Sequence, residues 1–163
     1  METHIKRIES STLTDIRFAL DMLMLSFSSG ATGIDGYMHI QSGWQLIHDG
    51  HIVLASLDMF ESDDPQVSSR NAVIRQCRDW IASSPPIVES VWLKDFLELD
   101  IVLSEDWRVR TVTLSAESVA GSDRELWRIE NLSESLSIVA ELGGGEVSII
   151  PREAKGGGER GTC

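Results

Sequence analysis

The chain has 163 residues, 42% of them hydrophobic and 25% charged. These are the proportions of a globular domain, and they exclude a disordered or low-complexity polymer. With 14 Lys+Arg against 26 Asp+Glu the net charge is −12. Binding to nucleic acid or to an anionic membrane surface needs cations, so neither is expected.

No apolar run approaches the roughly 20 residues that span a bilayer. The N-terminal METHIKRIES lacks the apolar core of a secretory signal. Cys77 and Cys163 read as thiols in a reducing compartment, and the expected location is the cytoplasm.

In chain order, Ala19–Phe27 (ALDMLMLSF) reads as one strand and Tyr37–Ile40 as a short one. Trp44–Ser56 (WQLIHDGHIVLAS) reads as a hairpin turning at Asp49-Gly50, a pair that tolerates positive φ. That turn would pair His48 with His51, Leu46 with Val53 and Trp44 with Ala55. Both faces are mainly apolar, so the hairpin is expected in the middle of its sheet. Asp64-Pro65 reads as the start of the main helix, with Asp64 as N-cap. Val67, Ile74, Cys77 and Ile81 form its apolar stripe, widened by Val73 and Trp80. Pro85-Pro86 ends the helix near Ser84.

Strand patterns then resume at Ile87–Leu93, Phe96–Leu103, Trp107–Ser115, Leu126–Ile129, Leu136–Leu142 and Val147–Ile150. Gly143 to Gly145 reads as a turn. Within Phe96–Leu103, Leu97, Leu99, Ile101 and Leu103 share one face, while Glu98 and Asp100 share the other. The segment 151–163 reads as a disordered tail. The expected architecture is one α+β domain over residues 1–150, mainly antiparallel sheet, with a helix over 65–84.

Two stretches echo each other, about 13–56 and 93–142, and imply paired β-meander units with the helix between them. Leu13-Thr14-Asp15-Ile16 matches Leu93-Lys94-Asp95-Phe96, and Leu20-Asp21-Met22-Leu23 matches Leu99-Asp100-Ile101-Val102. Trp44-Gln45-Leu46 matches Trp127-Arg128-Ile129. The run Leu20-Asp21, Trp44-x-Leu46, Leu99-Asp100, Glu125-x-Trp127-x-Ile129 and Gly143 to Gly145 resembles small acidic bacterial proteins of unknown function. Some of these are immunity proteins of polymorphic toxin systems. The resemblance spans about residues 13–150 through short, degenerate motifs. It implies an antiparallel β-rich fold and a binding role, and it carries over no catalytic residue.

Several constellations invite chemistry. His48 and His51, facing each other across the turn with Cβ atoms roughly 5 Å apart, are a candidate metal pair with Asp49 or His39 as third ligand. Nothing in the sequence completes that shell, so they read first as polar shoulders of a surface turn, and no metal or cofactor is expected. Asp21 and Asp100 sit inside apolar strands, where burial would raise their pKa for acid catalysis or let them bind a cation. Glu98 on the face of Asp100 points instead to a solvated face.

The loop of Asp58, Glu61, Asp63 and Asp64 lacks calcium-loop spacing. Arg70, Arg75 and Arg78 lie opposite the apolar stripe of the helix, where they can meet an acidic group or solvent. Of the five tryptophans, most must fill the core, and Trp107 beside Glu105 and Asp106 is the one expected to be exposed. Nucleophile-elbow, P-loop, Cys-x-x-Cys and dinucleotide motifs are absent from the sequence, and Cys77 reads as an inert core thiol.

The reading this supports is a non-catalytic acidic protein that restrains a basic protein partner, a candidate toxin. Its contacts would be Asp58, Glu61, Asp63, Glu105 and Asp106, with Trp107 as anchor. Two alternatives remain at this point. One is a small metal-dependent enzyme or ligand-binding protein using His48/His51 and Asp21/Asp100. The other is an accessory subunit of a larger assembly, using a sheet edge or the arginine face.

Overall fold

The computed structural model describes residues 5–19, 22–29, 35–56, 58, 69–112, 125–131, 136–141 and 146–151. Asp21, Glu61, Asp63, Asp64, the Gly143–Gly145 turn and the C-terminal tail with Cys163 lie outside these residues. The strands are β1 (Ser11–Ala19), β2 (Met22–Ser29), β3 (Gly36–Ile40), β4 (Gly43–His48), β5 (His51–Ala55), β6 (Val88–Leu93), β7 (Leu99–Leu103), β8 (Trp107–Val112), β9 (Glu125–Asn131), β10 (Leu136–Glu141) and β11 (Glu146–Pro151). The main helix, α1, is Ser69–Ser83. The chain is α+β and mainly antiparallel, as its patterning implies. No described helix is long and apolar enough to cross a membrane.

The strands form two sheets, one ordered β1-β2-β3-β9-β10-β11 and the other β5-β4-β8-β7-β6. Each sheet is a three-strand meander from one half of the chain, continued by strands from the other half. The joints are β3 against β9 and β4 against β8. At the first joint Gly36 is required by close approach, because a Cβ there would lie 2.0 Å from the Glu130 carbonyl oxygen. Side chains from both sheets fill one core, in which Trp44 and Trp127 are the largest fully buried residues. Burial of such apolar area is the main stabilising term. The edge strands β1 and β6 are tied where the Leu13 N–H donates to the Pro86 carbonyl and the Ser10 N–H to the Val88 carbonyl, both at 2.8 Å.

β-Bulges account for the main differences from the sequence pattern. The segment Ser11–Ala19, unassigned by periodicity, is β1. A register shift between Leu13 and Asp15 puts Leu13 and Ile16, three apart, both in the core, which destroys the period-two signal. The run beginning at Ala19 is therefore not one strand: Ala19 ends β1 and pairs with Met22, the first residue of β2. In the β4–β5 hairpin His48 pairs with His51 as expected. A shift between Leu46 and Ile47 then sets Leu46 opposite Leu54 and Gln45 opposite Ala55. The expected Leu46–Val53 and Trp44–Ala55 pairs are each displaced by one residue. The hairpin is also not central: β5 is an edge strand, with Ile52 57% exposed.

Helix α1 packs on β1 and β5. It buries Cys77 and Ile81 and half-buries Val73, Ile74 and Trp80, the expected stripe. It ends where the Ser83 hydroxyl and the Ser84 N–H both donate to the Trp80 carbonyl, at 3.0 and 2.9 Å, just before Pro85-Pro86. The expected start at Asp64-Pro65 lies outside the described residues.

Candidate functional site

One end of the five-stranded sheet carries two turns side by side, because antiparallel pairing of β4 with β8 sets His48 opposite Trp107. In the β4–β5 turn Asp49 and Gly50 have φ of 47° and 74°, as expected of an Asp-Gly hairpin. In the β7–β8 turn Glu105 and Asp106 have φ of 61° and 58°. Two consecutive acidic residues in this region are uncommon, since a Cβ crowds the backbone there. The turns are joined by the Asp49 N–H, which donates to the Asp106 carbonyl at 3.3 Å. The second turn is further anchored by the Ser104 N–H donating to the Ile87 carbonyl and the Ile87 N–H to the Ser104 hydroxyl, at 2.9 and 3.0 Å.

The turns border an open groove of about 580 Å³, lined by Asp49, Glu89, Asp106 and Arg108 among others. Asp49, Glu89 and Asp106 are exposed, and the Asp49 side chain keeps 67% of its accessible surface. Arg108, the basic residue of the groove lining, is engaged elsewhere. It makes a two-pronged ion pair with Asp100, which also accepts from Lys94 Nζ at 2.5 Å.

Asp100 is 0% exposed, a correction to its expected solvated position: its carboxylate is held by the Arg108 and Lys94 head groups. Burial pushes its carboxyl upward. The hydrogen bonds and charges of Arg108 and Lys94 together outweigh that and hold it below its ordinary value. Asp100 is thus a charge held by two cations, with no raised pKa for acid catalysis.

Beneath the turns lies an aromatic stack. Trp107 packs against Trp80 at 4.0 Å between ring centroids and against His48 at 4.3 Å, both nearly parallel. Trp107 is therefore 8% exposed, and the exposed tryptophan is instead Trp92, at 50%. The pattern around Trp107 pointed outward because its neighbours are charged. The alternation Trp107, Val109, Thr111, all buried, gives its true face. The Glu105 carboxylate turns back toward α1 and accepts from the Ser84 hydroxyl at 2.7 Å and from Trp80 Nε1 at 3.1 Å. These two hydrogen bonds, aided by His48, lower its pKa. Between α1 and β5 a second cavity of about 390 Å³ opens over this stack.

The remaining sequence candidates disperse. Asp58 accepts from the Ala55 N–H at 2.7 Å, at the end of β5 away from the turns. His48 stacks on Trp107, while His51 Nδ1 lies 2.8 Å from the Asp49 carbonyl. His39 is on β3 of the other sheet, stacked on Tyr37. Among the described residues no group of three or more His, Cys, Asp or Glu is placed to hold a metal ion. Arg75 is exposed, and Arg78 Nε donates to the Ile16 carbonyl at 3.2 Å, tying α1 to β1. The structure adds Asp49 and Glu89 to the acidic turn, contributions that sequence spacing gave no signal for. Asp49 arrives through the β4–β8 pairing, more than 50 residues away in the chain, and Glu89 through the β6–β7 pairing. No protein-family model, curated protein or solved structure matches the chain.

Proposed function

We propose that the protein is a non-catalytic acidic binding protein that restrains a basic protein partner, in the manner of a toxin-immunity protein. The paired turns form its contact face. One observation carries the reading: three exposed carboxylates, Asp49 and Asp106 on the hydrogen-bonded turns and Glu89 on β6, line one groove, and the arginine that lines it is paired with Asp100. Carboxylates held on a fixed backbone give a complementary field to a basic surface with little ordering cost on binding. The net charge of −12 extends that field and speeds encounter. Asp106 lies at the centre of this face, while Glu105 and Trp107 support it from beneath.

The test is capture from an extract of the native organism, with the intact protein and an Asp49→Asn/Asp106→Asn double variant as baits at low and high salt. The expected result is one stoichiometric basic protein, retained by the intact bait at low salt and reduced both by salt and by the double substitution. Capture indifferent to both, or no captured protein, overturns the proposal.

A further inference from the structure

The cavity between α1 and β5 is distinct in chemistry from the acidic groove. Val53 of β5, Val73 and Cys77 of α1, and the indoles of Trp80 and Trp107 give it apolar walls. Its volume of about 390 Å³ falls in the range of small-molecule sites. Glu105 also lines it; its basic neighbour there is His48, and no Lys or Arg lines the cavity. The two groups that hold Glu105, the Ser84 hydroxyl and Trp80 Nε1, are neutral donors. They fix the carboxylate in place without cancelling its charge. A carboxylate offers about four acceptor positions, so room remains for a further donor.

We infer that this cavity binds a small organic amine, its apolar body against Val53, Val73 and the indoles and its ammonium group on Glu105. Glu105 is exposed at the cavity mouth, so a neutral apolar molecule would gain nothing from its charge, and an anion would be repelled by it. The cavity shares Glu105 and Trp107 with the acidic groove, but the inference does not rest on partner binding, and its failure would leave that proposal standing.

The test uses phenethylamine as probe, with phenethyl alcohol and phenylacetate as neutral and anionic matches of similar size. Binding to the full chain is followed by ligand-observed NMR and tryptophan fluorescence. The amine is expected to bind saturably and about tenfold more tightly than the alcohol, the value of one charge-assisted hydrogen bond, with phenylacetate weakest. Glu105→Gln should bring the amine down to the affinity of the alcohol. Val73→Trp, which fills the cavity and leaves Glu105 in place, should abolish binding of both. Phenylacetate binding as tightly as the amine, an undiminished amine preference in Glu105→Gln, or no saturable binding overturns the inference. If Glu105→Gln fails to melt cooperatively, amine binding that survives Val73→Trp overturns it alone.

Discussion

Asp106 holds a backbone conformation that costs an L-residue roughly 1–2 kcal/mol, at φ 58°. Glycine would adopt it without strain. Asp106→Gly should therefore leave stability unchanged or raise it by about 1 kcal/mol in urea denaturation, while weakening capture of the basic partner. A gain in stability with undiminished binding would show that the carboxylate has no role in contact. Asp100 makes the opposite kind of contribution. Its pKa is held below the ordinary 3.8, so its stabilisation is fully present above that value and is lost as pH falls through the lowered one. Asp100→Asn should cost about 2 kcal/mol near neutral pH. The gap between variant and wild type should close below about pH 4. A gap that does not change with pH would mean the ion pair with Arg108 is not the source of the stability.

At the scale of elements, α1 was legible because its stripe follows a single period, from Val73 to Ile81, and because Pro85-Pro86 stops it. β8 and the Leu99–Leu103 part of the expected Phe96–Leu103 strand were legible for the same reason, in period two, whereas Asp95–Leu97 forms a 3-10 turn with Leu97 at φ 61° rather than strand. β1 and the register of the β4–β5 hairpin beyond Ile47 were not legible, because each bulge shifts the pattern by one residue and nothing in composition marks it. The burial of Trp107 and Asp100 was hidden differently. Trp107 sits among charges in the sequence and is covered by Trp80, 27 residues away on α1, whereas Asp100 sits in an apolar run and is held by Lys94 and Arg108, whose pairing depends on the β7–β8 register. The Asp49-Gly50 turn was readable residue by residue, whereas the Glu105-Asp106 turn, built from types that rarely adopt it, was not. Helix packing also fixes the state of Cys77: burial pushes its thiol up to about 11, far from the thiolate that reacts. In a Cys163→Ser protein, Cys77 should resist a thiol reagent at neutral pH and react only at the rate of opening or unfolding. Rapid modification of the native protein would contradict the packing of α1 on the core.

The whole molecule is two meanders that exchange their following strands. β1-β2-β3 is continued by β9-β10-β11, and β6-β7-β8 by β4-β5. The echoed Trp44-x-Leu46 and Trp127-x-Ile129 lie on β4 and β9, the strands that make the two joints. We propose duplication of a five-strand unit as the origin of this arrangement. The exchange has a functional consequence: it brings the β4–β5 and β7–β8 turns, from different halves of the chain, into one hydrogen-bonded acidic face. Under the proposed function this face recognises its partner by charge, which the association rate with the captured partner across ionic strength measures directly. The account predicts a rate that falls steeply with salt for the wild type and is lower and flatter for Asp49→Asn/Asp106→Asn, with dissociation much less affected by salt. A rate independent of salt, or equal in the two proteins, would contradict it.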